Sequence, residues 1–432
     1  MNMGSSINLA ETFVQLQKED LDFQRTQIAD LLDRRGTNFP GAQPVSFARR
    51  HLRELQRADY FMCEKTDGIR CLLFLSQFIE EGGAPVECQF FIDRKNDFYY
   101  VPRDAVHIPP PGDDLSAFHT GTLLDGELVR QRLKNGQKRL AYLIFDCLAL
   151  DKENITHRPF DKRYGRAEQL VWKPYLSFAK RYPEDVASQP FQLQLKKMEM
   201  PYGAGMMFKD RIPQLPHGND GLIFTCVTTP YVSGTDQHIL KWKPPWENTI
   251  DLKLELGEFP RIKDEETGEM IEDWDAMPAI HLMAFHGEKD YRHFALLSLT
   301  DAEWETMKAM NQTFDGRIME CFRDPVSTHW RPKIEEDGTP RLRDDKTHAN
   351  HYSVVESVIE SIEDAVTEQD LIAASPAIRT AFKERQRAKV DADKKAATQA
   401  AHQQQQQQHA RVPSHAPPAA KAEEDDGPRY ED

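Results

Sequence analysis

The sequence predicts an α+β protein of two compact domains and a tail: a first domain rich in antiparallel sheet, then a small β-barrel. Three observations carry this. The chain of 432 residues exceeds one ordinary core and suits two. An Asn135-Gly136 step divides two long apolar segments, Thr122–Val129 and Leu140–Leu148, which reads as a hairpin whose two turn positions both take positive φ. Beyond Trp246 the pattern breaks into short strands at Ile250–Leu256, Ala279–Phe285, His293–Leu299 and Arg317–Arg323. About five such strands in roughly 100 residues suggest a small barrel, with the OB-fold foremost.

Taken in order, residues 1–35 place Leu9, Phe13, Leu16, Leu21, Ile28, Leu31 and Leu32 at helical spacing. Apolar runs between Tyr60 and Tyr100, and again at Gly221–Val227 and Ile239–Trp242, read as strands. The boundaries follow: residues 1–245 as the first domain and 246–349 as the barrel. A helix over about 350–387 has Ser353 and Glu356 as its capping box and Val355, Val358, Ile359 and Ile362 as its buried face. It is expected to pack back on the first domain. Residues 388–432, with a Gln403–Gln408 run and a Pro/Ala/acidic end, are too poor in apolar area to offset ordering entropy, which predicts disorder.

Composition removes several function classes. No apolar run approaches the ~18 residues that span a bilayer, and the first residues lack the basic start and apolar core of a secretory signal. The 6 cysteines are scattered without a CxxC pair, so a reducing compartment fits and a cysteine-built zinc site does not. A net charge of −15 argues against a general RNA-coating protein. It leaves room for a few cations focused in one cleft.

Such cations recur at strand ends. Lys65-Thr66-Asp67-Gly68-Ile69-Arg70 follows an apolar strand, so Lys65 is displayed rather than packed. Asp125-Gly126-Glu127, Phe145-Asp146 and Asp220-Gly221 set carboxylates within or beside apolar strands, where an unpaired charge is costly. Lys241 and Lys243 share one face of a strand because side chains alternate with period two. Several strand-end charges in one domain indicate a common cleft. No GxxxxGK loop, HExxH or nucleophile elbow competes with it.

These segments, with Ile92-Asp93-Arg94 and Arg341-Leu342-Arg343-Asp344-Asp345-Lys346 ahead of Asn350-His351, resemble in order and style the covalent nucleotidyltransferases. Within that superfamily they are similar to mRNA-capping guanylyltransferases of the fungal type, over roughly residues 1–370. The resemblance implies a nucleotidyltransferase domain followed by an OB-fold. It implies transfer of GMP from GTP through Lys65 to the 5′-diphosphate end of RNA, with Mg²⁺ or Mn²⁺. Arg70, Glu127 and Arg94 would then serve the ribose and Phe145 would stack on guanine. Thr66 and either Lys196 or Lys197 would read the base. Lys241 and Lys243 would reach the α-phosphate, Asp220 would stand on the metal side, and Arg343 and Lys346 would grip the β- and γ-phosphates. An RNA triphosphatase (beta) subunit, the phosphorylated tail of RNA polymerase II and a nuclear location are the implied partners and place. An ATP-dependent polynucleotide ligase forming lysine–AMP is the alternative within the superfamily. A non-catalytic RNA- or polymerase-binding module is the alternative of another class.

Overall fold

A computed structural model describes residues 7–410, apart from 80, 81, 103, 104, 267 and 336; for 400–410 it describes the backbone only. An eight-stranded sheet runs in the order Val14–Gln15, Phe98–Val101, Pro85–Ile92, Ile69–Ile79, Thr122–Arg132, Lys138–Leu150 and Phe191–Leu195, with Glu153–Asn154 beside Lys138–Leu150. All its pairings are antiparallel except that of Phe191–Leu195. Within Ile69–Ile79, residues Cys71–Leu75 form an unbroken apolar run because the strand is covered on both sides there. Cys71, Leu73 and Leu75 enter one core cluster, whereas Leu72 and Phe74 enter another with Ile28 and Leu32. Side-chain alternation makes that division, and it puts Arg70 on the face of Leu72 and Phe74.

A second sheet of four strands meets that face: Ala42–Ser46, Gly234–Trp242, Asn219–Cys226 and Tyr60–Thr66. Met62, Leu222, Phe224, Leu240 and Trp242 point one way, into a core closed by Phe47, Leu371 and Ile378. The alternate residues Cys63, Lys65, Ile223, Thr225 and Ile239 line the cleft between the two sheets. Arg163, 2 % exposed, braces the end of this cleft by forking onto Asp146 at 2.9 and 2.7 Å.

The third sheet runs Asp290–Leu296, Ile280–Gly287, Thr249–Leu256, Ile318–Arg323, Trp330–Pro332. Helix Asp301–Ala309, capped by Thr300 and Glu303, joins Asp290–Leu296 to Ile318–Arg323, its third and fourth strands in chain order. A parallel bridge from Leu297 to Trp330 links the two edges of the sheet. Helix Tyr352–Glu363 buries the predicted face of Val355, Val358, Ile359 and Ile362, but against this core rather than the first domain, and it ends at Glu363 instead of running to about 387. The following residues return to the second sheet, where Trp242 Nε1 donates to Val366 O at 2.7 Å.

Four further expectations need correction. The Lys134–Gly136 turn has positive φ at Gly136 alone (83°), with Gly136 N donating to Leu133 O at 2.9 Å. It is therefore a longer loop with a glycine in the left-handed position, not a two-residue turn. The N-terminal helix is broken: Leu9–Thr12 and Lys18–Leu31 are helical, while Val14–Gln15 pairs as a strand with Tyr99 and Tyr100. Residues 1–6 lie outside the described residues. His351, not Ser353, caps Tyr352–Glu363, its ring accepting from Ser353 N at 3.3 Å. Residues 388–410 are helical within Glu368–Ala410, contrary to the expected disorder. Alanine, lysine and glutamine favour helix by local propensity even where apolar burial is absent. Residues 411–432 lie outside the described residues.

Arg163→Met leaves Asp146 buried without its partner, a change that costs about 3–5 kcal/mol. Urea unfolding measures it, and a loss below about 1 kcal/mol would contradict the bracing role. Pairing the change with Asp146→Asn should restore part of the loss.

Candidate functional site

The site begins where the chain crosses from one sheet to the other. Lys65 and Thr66 end the second-sheet strand Tyr60–Thr66, and Arg70 belongs to the first-sheet strand Ile69–Ile79. Only Asp67 and Gly68 lie between. A Cβ on Gly68 would stand 2.5 Å from Leu128 O, so only glycine lets the crossing lie this close to the sheet. Asp67 N donates to Gly218 O at 3.0 Å, and Asn219 Nδ2 donates to Lys65 O at 2.9 Å. The Lys65 backbone is thereby tied to the segment that carries Asp220.

Asp220 owes its place to a register shift between Asn219 and Leu222 in the pairing of Asn219–Cys226 with Tyr60–Thr66. Gly221 permits it, with φ at +148° and Trp242 O only 2.0 Å from where a Cβ would be. Lys65 Nζ donates to both Asp220 oxygens at 2.6 and 2.7 Å, and Lys243 Nζ lies 3.0 Å from Oδ2. Burial pushes the Asp220 carboxyl up, but Lys65 and Lys243 outweigh it and hold it below the ordinary carboxylate range. Lys241 stands opposite Ile223 and hence on the cleft face. Burial, followed by repulsion from Lys243 and Lys65, pulls its ammonium below the usual lysine value. Arg94, lowered by burial and by Arg70, lines the cleft rim. Among the described residues neither Lys241 nor Arg94 has a hydrogen-bond or ion-pair partner, which suits both to a phosphate.

Deeper in the cleft the polar groups are interlocked. Thr66 Oγ1 donates to Glu127 Oε2, and Lys196 Nζ donates to Thr66 Oγ1 at 2.7 Å. Lys196 is 4 % exposed, lies 5.8 Å over the Phe145 ring, and stays charged despite burial because Cys63, Glu64 and Glu127 surround it. Lys197 points elsewhere, with its ammonium 3.5 Å from Glu199 and its side chain 65 % exposed. The alternative left open by the sequence thus resolves to Lys196 as the cleft residue. Phe145 enters the cleft through a β-bulge: Gly126 pairs with Ile144 and Asp125 with Asp146, leaving Phe145 as the extra residue.

Arg70 is already heavily occupied. Its Nε and Nη2 fork onto Asp125 at 3.0 and 2.6 Å, and Nη1 donates to Ala42 O. Burial opposes its charge, but Asp125 prevails and raises its pKa further. Tyr231 completes the node, its hydroxyl donating to Asp125 Oδ2 at 2.6 Å and accepting from Ala42 N at 2.9 Å. Tyr231 and Asn219 were not singled out as site residues by sequence reasoning. Tyr231 lies in a segment otherwise readable only as a turn, and nothing local marks it as a partner of Arg70.

Two predicted residues stand apart from the cleft. Arg343 Nη1 donates to Asp251 at 3.0 and 3.1 Å, and its Nε and Nη2 fork onto Asp345. Those bonds, Asp345 first, raise its pKa. Lys346 Nζ lies 3.3 Å from Asp251. Both cations are held by acids of the third-sheet region. No group of three or more potential metal-ligating side chains occurs among the described residues.

A displayed lysine, unpaired cations at the rim and a cavity closed by an aromatic ring and a buried lysine suit a nucleotide whose phosphate is attacked by an amine. Fold and cleft together define a nucleotidyltransferase. Residues 9–245 match the family model described as mRNA capping enzyme, catalytic domain, and residues 247–372 match mRNA capping enzyme, C-terminal domain. The mRNA-capping enzyme subunit alpha of Neurospora crassa is 44% identical over 376 residues, covering 84% of this chain and 90% of that protein. The protein of the same name from Schizosaccharomyces pombe is 42% identical, covering 86% and 89%. A solved mycobacterial DNA ligase D aligns over 71% of this chain and 94% of its own at 15% identity and a TM-score of 0.31, too loose to decide anything about activity. The chain belongs to the mRNA capping enzyme family, and it is a guanylyltransferase.

The depressed Asp220 carboxyl gives a signed pH prediction. Its contribution to stability is complete above the ordinary carboxylate value near 3.8 and is lost as pH falls through the lower folded value. The stability gap between the native chain and Asp220→Asn, measured by urea unfolding, should narrow as pH falls below about 4. A gap unchanged from neutral pH down to about 3 would refute the pairing.

Proposed function

We propose that the chain transfers GMP from GTP to the 5′-diphosphate end of RNA through a covalent Lys65–GMP adduct, forming the GpppN cap. The observation that carries this is the placing of Lys65 at the mouth of the cleft, 2.6 Å from Asp220 and in company with Lys241 and Lys243. An amine attacks only when neutral. Once Lys65 has lost its proton to solvent, Nζ forms a bond to the α-phosphorus as the bond to the pyrophosphate oxygen breaks. In the second half-reaction a terminal phosphate oxygen of RNA takes the α-phosphorus, and the N–P bond breaks to restore Lys65.

The remaining assignments are those the family resemblance implies, and the geometry of the cleft supports them. Lys196 and Thr66, bonded to each other, are set to read guanine beside Phe145. Glu127 and Arg70 face the ribose, with Arg94 at the rim. Lys241 and Lys243 stabilise charge on the α-phosphate. Asp220 stands beside the phosphate cations with the Asp67 carboxyl near it, which fits Mg²⁺ or Mn²⁺ arriving with GTP, since such ions are commonly held by one or two carboxylates and the substrate's phosphates. When bound, the ion would neutralise charge on those phosphates.

The second domain, residues 246–349, is proposed to be an OB-fold. Its strand order, the helix between the third and fourth strands, and the parallel Leu297–Trp330 bridge support that. To reach the β- and γ-phosphates, Arg343 and Lys346 must exchange Asp251 and Asp345 for GTP. The name "subunit alpha" of the relatives supports a second subunit, proposed to be an RNA triphosphatase. Docking on the phosphorylated tail of RNA polymerase II and a nuclear location complete the proposal and rest on the family resemblance alone.

Incubation with α-labelled GTP or ATP and a divalent ion, followed by denaturing electrophoresis, tests the reaction. Label from GTP alone, absent in Lys65→Ala and released by 5′-diphosphate RNA, is expected. Label from ATP would instead make the chain a ligase, and no label from either would favour a binding module. Arg343→Ala and Lys346→Ala should slow adduct formation by about 10²-fold while transfer from preformed adduct changes far less. Equal losses in both half-reactions would remove them from the pyrophosphate side.

A further inference from the structure

A second, open cavity shares Arg94 with the nucleotide cleft and extends away from it over Arg25, Lys95, Thr37, Asn38 and Gln43. Among the described residues it is lined by three cationic side chains and by no acid, in a chain whose net charge is −15. The tight turn after Pro85–Ile92 builds its rim. Asp93 Oδ1 accepts from Lys95 N and Asp97 N, both at 2.9 Å, and Asn96 adopts φ 65°. Arg94 and Lys95 therefore sit side by side on the tip of a turn fixed from beneath.

The nearby acids are already engaged. The Asp93 carboxylate serves those two amides and also lies 3.3 Å from the Tyr99 hydroxyl. Asp22 and Asp97 lie 3.6 and 3.5 Å from Arg25, whose Nε donates to Asn96 O at 2.9 Å. Lys95, exposed like Arg94, has no hydrogen-bond or ion-pair partner among the described residues. Arg94 and Lys95 are thus the two cations of this rim without an ion-pair partner among the described residues, and Arg94 joins it to the reacting centre.

We propose that this cavity is the acceptor track: it takes the sugar–phosphate backbone of single-stranded RNA just behind the 5′-diphosphate, with Lys95 as a phosphate contact. The inference rests on the capping reading and adds the surface on which the acceptor lies. An anionic polymer whose first phosphate must reach Lys65 has to leave the cleft somewhere, and the Arg94 rim offers it matching charge. Backbone contact of this kind carries no sequence preference and is salt-dependent, as suits an enzyme acting on unrelated transcripts.

The test separates the half-reactions in the full chain. Lys95→Ala and Lys95→Glu should form the GMP adduct from GTP at the native rate. With a 5′-diphosphate RNA of about twenty nucleotides as acceptor, KM should rise about threefold for Lys95→Ala and about tenfold for Lys95→Glu at low salt, as expected for a lost single-strand phosphate contact. The slope of log KM against log salt should fall by about 0.7 in Lys95→Ala. Transfer to inorganic pyrophosphate, which regenerates GTP, should stay native. A native KM and slope with RNA in both variants, or an equal loss with pyrophosphate, would overturn the proposal. Absence of any adduct in the native chain would overturn the capping reading itself, and shows before RNA is added.

Discussion

Everything at the site depends on the two-residue crossing between sheets at Asp67-Gly68. Because Gly68 can lie against Leu128, the last residues of one sheet and the first of the other reach the same cleft. Lys65 and Thr66 come from one wall; Arg70, Glu127 and Phe145 come from the other. The walls are then pinned at a fixed opening by the node of Tyr231, Asp125, Arg70 and Ala42, in which each polar group has a partner. Such a buried network is costly when broken and rigid when complete. That is the property a cleft needs if a phosphorus atom is to stand in line with one amine.

The charges divide by whether they are already satisfied. Arg70 and Arg163 are consumed by Asp125 and Asp146 and hold the walls. Among the described residues Lys241 and Arg94 have no ion-pair partner, which leaves them available to a ligand. Arg343 and Lys346 belong to a third set, paired with Asp251 of the third sheet and apart from the cleft. This division also reconciles an acidic protein with a nucleotide substrate. Net charge sets nonspecific behaviour in bulk, whereas the potential in a cleft is set by the few groups lining it.

Much of the fold was legible because its signals are local. The apolar segments Thr122–Val129 and Leu140–Leu148, and the helix face at Val355, Val358, Ile359 and Ile362, are read from neighbouring residues alone and recur in the structure. The charges converge on one cleft from strand ends, at Lys65 and Arg70, and from strand interiors, at Glu127 and Asp146. What was not legible depends on tertiary placement. No local pattern marks Phe145 as the extra residue of a bulge, Tyr231 as the partner of Asp125, or Lys196 rather than Lys197 as the buried lysine. The helix through residues 388–410 escaped for the opposite reason: a burial argument was applied to a stretch governed by propensity.

The central claim is that Lys65, and no other lysine of the cleft, is the nucleophile. Its most direct test is to incubate the native chain with GTP and a divalent ion, digest it, and locate the added nucleotide by tandem mass spectrometry under conditions that preserve P–N bonds. The account predicts GMP on the ζ-nitrogen of Lys65 alone. GMP on Lys241, Lys243 or Lys196, with Lys65 unmodified, would contradict it.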